Sequence, residues 1–137
     1  MSRERAEAAG LTPLARIVST GLCQLEPEYM GLGPVESSRR ALAAAGLGIS
    51  DIDLIEMNEA FAAQIIPSAR ALGVDPLDDD RFNVHGGAIA LGHPFGMTGA
   101  RLIGTLVRSL HERDKTHGLA TLCVGGGMGM AMVLERE

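Results

Sequence analysis

The sequence is short of aromatic residues, cysteine and positive charge, and each shortage excludes a class of protein. Its 137 residues include no tryptophan, one tyrosine and three phenylalanines, so aliphatic side chains, methionine and alanine must build the core. The two cysteines, Cys23 and Cys123, suggest neither a disulfide framework nor a metal-ligand spacing. The net charge of −5 offers no basic stripe for the phosphates of a nucleic acid.

Hydrophobic runs of membrane-spanning length are also missing. No run approaches the roughly 20 apolar residues that a transmembrane helix needs. The N-terminal MSRERAEAAG is charged and lacks the apolar stretch of a signal peptide. We therefore expect a cytoplasmic protein with reduced cysteines and with neither a nucleic acid nor a membrane among its partners. A chain of this length is predicted to form one domain.

Strand-like and helix-like hydrophobic patterns alternate along the chain. They predict strands at 15–23, 53–58, 82–90, 119–124 and 128–134, and helices at 2–9, 34–45, 59–72 and 97–111. Pro67 is expected to kink or interrupt its helix, because proline lacks a backbone donor. The order of these elements predicts an α/β fold, with a mixed, mostly parallel five-stranded sheet and helices on both faces.

The helix predicted at 97–111 has the clearest amphipathic pattern. Its five large apolar residues fall within an arc of about 140°; they are Leu102, Ile103, Leu106, Val107 and Leu110. Charged residues are predicted on the opposite side; they are Arg101, Arg108 and Glu112. One sheet cannot cover so wide an apolar face, so part of it is expected to be exposed.

Two glycine-rich stretches carry the residues best suited to chemistry. Residues 83–101, NVHGGAIALGHPFGMTGAR, place His93 between a glycine and a proline just before that helix. Residues 123–129, CVGGGMG, place Cys123 at the end of a strand and directly before three glycines. A histidine and a thiol at such positions can exchange protons, and neighbouring glycines let backbone N–H groups approach a reacting oxygen. Taken alone, each residue would more often be structural.

Other motifs lack the pattern that their chemistry requires. His111 and His117 do not have the spacing of a zinc-binding H-E-x-x-H helix. The glycine run at 125–129 precedes a strand, whereas a dinucleotide loop precedes a helix. The acidic run at 78–80 lacks the alternating ligands of a calcium loop. Cys23 lies in an apolar strand and is predicted to be a small buried residue.

Three blocks in a fixed order resemble one family. NEAFA at 58–62, GHPFGMTGA at 92–100 and CVGGGMG at 123–129 are similar to the C-terminal domain of the thiolases, the acetyl-CoA acetyltransferases and 3-ketoacyl-CoA thiolases. The resemblance covers nearly the whole chain. It implies the same βαβαβαββ order, with a thiolase C-terminal domain at 13–137. Residues 1–12 would be a remnant of the preceding domain's last helix and linker.

The resemblance implies a role for five residues. His93 would activate a nucleophilic cysteine and help to bind the thioester oxygen, and Cys123 would move the proton of the substrate's α-carbon or of the coenzyme A thiol. Asn58 would hold a water in one oxyanion hole, and the Gly125 N–H would serve a second. Phe61 would line the acyl and pantetheine channel. Acyl-CoA and coenzyme A would be the substrates, with no metal and no other cofactor.

The chain departs from the family at two points. His85 replaces the second asparagine of an N-x-N-G-G block and is interpreted as a turn or packing residue. More importantly, nothing matches the cysteine-glycine-serine type of loop that carries the acyl-accepting cysteine in the N-terminal half of a thiolase. The inserted loop domain that contacts the nucleotide of coenzyme A is absent too.

The predicted function is therefore that of a C-terminal thiolase half. The complete enzyme would be an acyltransferase of acyl-CoA and fatty-acid metabolism, catalysing thiolysis or Claisen condensation. The isolated chain would be inactive, and its partner would be the N-terminal half or a second copy of itself. Two alternatives are a non-catalytic thiolase-like binding or assembly subunit and a structural α/β domain with accidental motifs.

Overall fold

The computed structural model describes all 137 residues, Met1–Glu137. Its helices and strands follow in the order α1 (Arg3–Ala8), β1 (Ala15–Gln24), α2 (Gly33–Ala45), β2 (Leu54–Met57), α3 (Ala62–Ala71), α4 (Ala88–Leu91), α5 (Phe95–Glu112), β3 (His117–Val124) and β4 (Met128–Arg136). Short 3-10 turns lie at Pro27–Leu32 and Ile49–Asp51.

The sheet has four strands in the order β1-β4-β3-β2. Strands β2 and β3 are parallel, whereas β4 is antiparallel to both of its neighbours. The α/β architecture with helices on both faces agrees with the prediction. The prediction of five mostly parallel strands is wrong, because one strand is missing and most of the pairing is antiparallel.

The missing strand is the one predicted at 82–90. Phe82 makes a single parallel bridge to Ile55, and Asn83 then adopts a left-handed conformation with φ 44°, which asparagine tolerates better than most residues. Its side chain replaces the strand: Oδ1 accepts from Met57 N at 2.9 Å, and Nδ2 donates to Met57 O at 3.0 Å. The backbone therefore leaves the sheet, and residues further on form α4.

One face of the sheet is covered by α2 and α3. A core cluster there joins the sheet residues Ile55, Leu119 and Val133 to Leu42 of α2 and Ile65 of α3. Helix α2 ends at Gly46, in the left-handed region at φ 70°, as its sequence predicts. Helix α3 runs through Pro67 without interruption, so of the predicted kink or interruption the interruption is absent.

The start of α2 lies very close to β4. A Cβ atom added to Gly129 would lie 2.3 Å from Gly33 O, so only glycine fits at this crossing. Gly129 pairs with Cys23 on one side and with Cys123 on the other. Cys23 is buried and donates to Gly33 O at 3.2 Å, in agreement with its predicted packing role.

The opposite face of the sheet is covered only in part, by α5. Leu102, Leu106 and Leu110 are fully buried against the sheet, while Ile103 and Val107 are half-buried. These two line a groove with Leu14 and Ile17, which are 62% and 61% exposed. None of the five helices combines the length and apolarity needed to cross a bilayer.

The uncovered part of this face continues across β1 and β4. Leu22 of β1 pairs with Met130 of β4, and the two side chains are 64% and 37% exposed. We call this surface the open face; its residues are Leu14, Ile17, Leu22, Ile103, Val107 and Met130.

Arg101 does not lie on the solvent side of α5, contrary to the prediction. Its Nη1 donates to Glu56 Oε2 at 2.9 Å, and the side chains of Arg101 and Glu56 are only 13% and 2% exposed. Helix α5 packs on both β2 and β3, so positions beside its leucine stripe also face the sheet. Arg108 and Glu112 form an exposed pair, as expected.

This buried ion pair generates a prediction about pH. Burial raises the pKa of Glu56 from 4.5 to about 7, and Arg101 opposes the rise. The folded state thus holds this proton more tightly than the unfolded chain, so the contribution to stability is present below pH 4.5 and is lost as the pH rises through 7. Relative to wild type, Glu56→Gln should therefore gain up to about 3 kcal/mol of unfolding free energy between pH 4.5 and 7.5.

Urea unfolding of both proteins across this pH range measures the difference. Glu36→Gln is the matched control, since Glu36 pairs with Arg40 on the exposed side of α2. A Glu56→Gln difference that does not change with pH would show that the pKa of Glu56 is not raised.

Candidate active site

The parallel pairing of β2 with β3 brings two functional segments to one edge of the sheet. Met57 at the end of β2 pairs with Thr121 of β3, and the Asn58 N–H donates to Thr121 O at 2.9 Å. Asn58 directly follows β2, and Cys123 lies near the end of β3. Because parallel strands end at the same edge, these two residues lie on the same side of the molecule.

A mainly apolar cleft of about 550 Å³ lies at this edge. It is lined by Met30, Ala60, Phe61, His93, Phe95, Leu122, Cys123, Val124 and Gly125. A cavity of this size and lining suits the aliphatic part of a ligand, with a few polar groups to fix its orientation.

His93 is held by hydrogen bonds at both ring nitrogens. Nε2 lies 3.2 Å from Asn58 Nδ2, and Nδ1 lies 2.6 Å from Thr98 Oγ1. The Thr98 hydroxyl donates to Pro94 O at 3.2 Å, so it accepts from His93. This network assigns the proton of the neutral ring to Nδ1 and makes Nε2 an acceptor.

Asn58 is fully buried, and its Oδ1 has no hydrogen-bond partner. A buried polar atom without a partner is costly unless a water or ligand satisfies it. Asn58 therefore offers an acceptor beside His93 Nε2.

Cys123 has a buried thiol, with 6% of the residue exposed. Burial raises the pKa of Cys123, and a hydrogen bond from its own backbone opposes the rise. The group is therefore a thiol at neutral pH.

The turn after Cys123 requires glycine at two positions. Gly126 and Gly127 have φ of 86° and 85°, and a Cβ added to Gly127 would lie 2.2 Å from Leu25 O. The turn places Gly125 on the lining of the cleft.

Two phenylalanines flank the mouth of the cleft. Phe61 is 62% exposed and Phe95 is 88% exposed. The Phe95 ring centroid lies 5.1 Å from that of His93. Side chains this apolar and this exposed form a surface for an apolar group of a ligand or for another protein segment.

The five residues singled out from the sequence lie together: Phe61, His93, Cys123 and Gly125 line the cleft, and Asn58 contacts His93. Other contributors were missed in the sequence: Thr98 contacts His93, and the cleft is also lined by Met30, Ala60, Phe95, Leu122 and Val124. Thr98 carried a signal, a hydroxyl in the first turn of the helix that follows the histidine, but Met30 lies in a remote 3-10 turn with no local mark.

The remaining histidines lie outside the cleft. His85 is exposed, with Nε2 3.8 Å from Glu112, and His111 Nε2 contacts Leu14 O at 2.8 Å. No group of three or more metal-binding side chains is placed to hold an ion.

Comparisons with known proteins identify close similarities over the whole chain. The family profile described as "Thiolase, C-terminal domain" matches residues 11–136. The acetyl-CoA acetyltransferase of Escherichia coli is 56% identical over 136 residues, covering 99% of this chain and 34% of that protein. The 3-ketoacyl-CoA thiolase of Chromohalobacter salexigens is 54% identical over 136 residues, covering 99% of this chain and 35% of that protein.

A solved structure shares the fold. The crystal structure of the Bacillus anthracis acetyl-CoA acetyltransferase superposes with a TM-score of 0.94 at 42% identity, over 100% of this chain and 34% of the other. The chain thus spans about a third of the length of the relatives that it matches.

The buried thiol generates a prediction about reactivity. In a Cys23→Ala variant, where Cys123 is the sole thiol, the rate of alkylation by iodoacetamide should rise with pH along a curve whose midpoint lies above that of the urea-unfolded chain. The reason is that only the thiolate reacts, and burial disfavours it. Restricted access lowers the rate at every pH, so the midpoint is the diagnostic quantity. A midpoint at or below that of the unfolded chain would contradict the raised pKa.

Proposed function

The chain belongs to the thiolase family as its C-terminal domain, and on this basis we propose that it supplies the proton-transfer and oxyanion-binding groups of a thiolase active site. The complete enzyme would transfer an acyl group between acyl-CoA thioesters and coenzyme A. The supporting observation is the contact between buried Asn58 and His93, which lines the same cleft as Cys123.

His93 would activate the acyl-accepting cysteine, which the rest of the protein must supply. The proton of the neutral ring is on Nδ1, which donates a hydrogen bond to Thr98 Oγ1. The ring therefore presents Nε2 as the base. Nε2 would release the Asn58 Nδ2–H that it accepts at rest and take the proton of that cysteine as its sulfur attacks the 3-keto carbonyl of a 3-ketoacyl-CoA. The resulting Nε2–H would then donate to the developing oxyanion.

Cys123 would handle the second proton. Cleavage of the bond between the α- and β-carbons leaves the acyl group on the accepting cysteine and releases the enolate of acetyl-CoA. A thiol with a raised pKa is protonated at rest, and can give that proton to the α-carbon. The Cys123 thiolate so formed would take the proton of coenzyme A, whose sulfur then attacks the acyl-enzyme. Condensation is the reverse sequence.

Two sites would stabilise the oxyanions. At the first site, the unpartnered Oδ1 of buried Asn58 is suited to hold a water that would bind the oxyanion together with His93. The Gly125 N–H would serve the second, at the turn beside Cys123. One preorganised donor can contribute about 3–4 kcal/mol to transition-state binding. Phe61 would line the acyl and pantetheine channel, and the proposed chemistry uses side chains, one backbone N–H, a water and coenzyme A thioesters, with no metal and no other cofactor.

The open face supports the proposal that the rest of a thiolase packs on this chain. Its apolar side chains extend from α5 across β1 and β4, and no element of this chain covers them. A contiguous exposed apolar surface usually marks an interface. The alternative of a purely binding subunit is not favoured, because the relatives are named for acyl-transfer activity.

A chimera tests the proposed function. The chain should replace the matching C-terminal third of the Escherichia coli relative, and thiolysis of acetoacetyl-CoA should be measured. We expect the chimera to be active and the isolated chain inactive, since the latter lacks an acyl-accepting cysteine. In the chimera, His93→Ala and Cys123→Ala should each lower kcat by about 10²–10⁴-fold, and Asn58→Ala should lower it less.

Matched controls separate chemistry from folding. His85→Ala alters an exposed histidine and Cys23→Ala a buried cysteine outside the cleft, so neither should reproduce these losses. An unchanged rate in Cys123→Ala would refute its role. Turnover by the isolated chain that Cys123→Ser abolishes would make Cys123 the nucleophile.

The open face generates a prediction about association. The isolated chain should self-associate at low micromolar concentration, and Leu22→Glu or Ile17→Glu should reduce this by placing a charge on the apolar surface. Sedimentation velocity measures it. Leu77→Glu is the control, because Leu77 is 75% exposed but lies outside the open face. A wild-type monomer that binds no hydrophobic dye would show that the chain closes its own core and would favour the independent binding subunit.

A further inference from the structure

Glu59 bridges the segment after β2 and the segment that leads to His93. Its Oε1 accepts from Asn83 Nδ2 at 3.0 Å, and its Oε2 accepts from Ile89 N at 3.0 Å. Both carboxylate oxygens thus accept hydrogen bonds from one segment, Asn83–Gly92, which includes the short helix α4 and which we call the loop. Glu59 itself is only half-buried. Hydrogen bonds to an ionised carboxylate are stronger than those between neutral groups.

The Asn83 end of this bridge is anchored in the sheet. The Asn83 amide bonds to both backbone groups of Met57 at 2.9 and 3.0 Å, and Asn83 N donates to Ile55 O at 2.8 Å. The two protons on Asn83 Nδ2 are therefore donated to Met57 O at the end of β2 and to Glu59 Oε1. These bonds fix the position at which the loop begins.

The middle of the loop packs directly on the same carboxylate. A Cβ atom added to Gly87 would lie 2.1 Å from Glu59 Cδ and within 2.4 Å of both oxygens. Any side chain at position 87 must therefore displace the carboxylate. This close approach is independent of the hydrogen bonds and locates the carboxylate against the backbone at the start of α4.

The two segments that Glu59 joins carry Asn58 and His93, whose side chains meet beside the cleft. Asn58 directly precedes Glu59, and the loop ends one residue before His93. Thr98 orients the His93 ring through Nδ1, but it belongs to α5, and its hydroxyl bonds only to His93 and Pro94. We infer that Glu59 is a positioning residue, whose carboxylate holds the loop Asn83–Gly92 against the end of β2 and thereby sets the contact between Asn58 Nδ2 and His93 Nε2. The importance of that contact for turnover rests on the proposed function; the positioning itself does not.

Histidine-selective NMR of the 137-residue chain tests the inference. The chain has four histidines, and a His93→Ala spectrum assigns the ring of interest. Wild type should show His93 as the Nδ1–H tautomer with Nε2 accepting a hydrogen bond. In Glu59→Ala this signature should be lost, with averaged tautomers or a shifted Nε2 resonance, because the loop is no longer held at Ile89 and Asn83.

Gly87→Ala provides a second route to the same result. Its methyl group should displace the carboxylate and reproduce the loss, while the double variant Glu59→Ala/Gly87→Ala should be no worse than either single variant. Glu59→Gln keeps an acceptor for Ile89 N but turns an amide donor toward Asn83, so it should give an intermediate spectrum. Glu36→Ala, at an exposed ion pair on α2, should leave the His93 signals unchanged.

The outcomes are distinct from those of the catalytic proposal. A folded Glu59→Ala chain with unaltered His93 signals overturns the inference, as does a Gly87→Ala effect that adds fully to that of Glu59→Ala. If Glu59→Ala fails to fold, Gly87→Ala and Glu59→Gln decide. Because the readout is the state of the His93 ring and not turnover, an inactive chimera would count against the proposed function and leave this result standing.

Discussion

The parallel pairing of β2 with β3 is the constraint on which the rest of the site depends. Parallel strands need a crossover connection, and here that connection includes α5, which starts at the edge of the sheet where both strands end. His93, two residues before this helix begins, therefore lies beside the residue that follows β2 and close to the end of β3. One topological choice thus collects three separated segments of chain without any long side chain having to reach between them.

Much of this arrangement could be read from local signals. Pro34 and Gly46 mark the two ends of α2, the leucine spacing of α5 predicts its buried stripe, and three glycines predict the turn between β3 and β4. The residues of the candidate site could be predicted for the same reason. Each of them lies in or beside a short block whose glycine and proline residues mark a turn or the end of an element.

What could not be predicted depends on contacts between distant segments. The pattern at 82–90 suits a strand, but a side chain, that of Asn83, takes over the pairing after one bridge. Arg101 looks solvent-facing on a helical wheel, yet Glu56 of a strand 45 residues away draws it inward. Met30 reaches the cleft only because the 3-10 turn Pro27–Leu32 packs on α3. Periodicity describes one element at a time, and none of these features belongs to one element.

The register of Cys23, Gly129 and Cys123 has a consequence for oxidation. Both cysteines pair with the same glycine from opposite sides, which separates their Cα atoms by two strand spacings, roughly 10 Å. A disulfide requires Cα atoms within about 7 Å, and the backbone of Gly33 occupies the space above Gly129 between them. Oxidants therefore cannot cross-link the chain to itself without first extracting β4 from the sheet. The folded domain keeps its two sulfur atoms chemically independent, because β4 and the backbone of Gly33 lie between them.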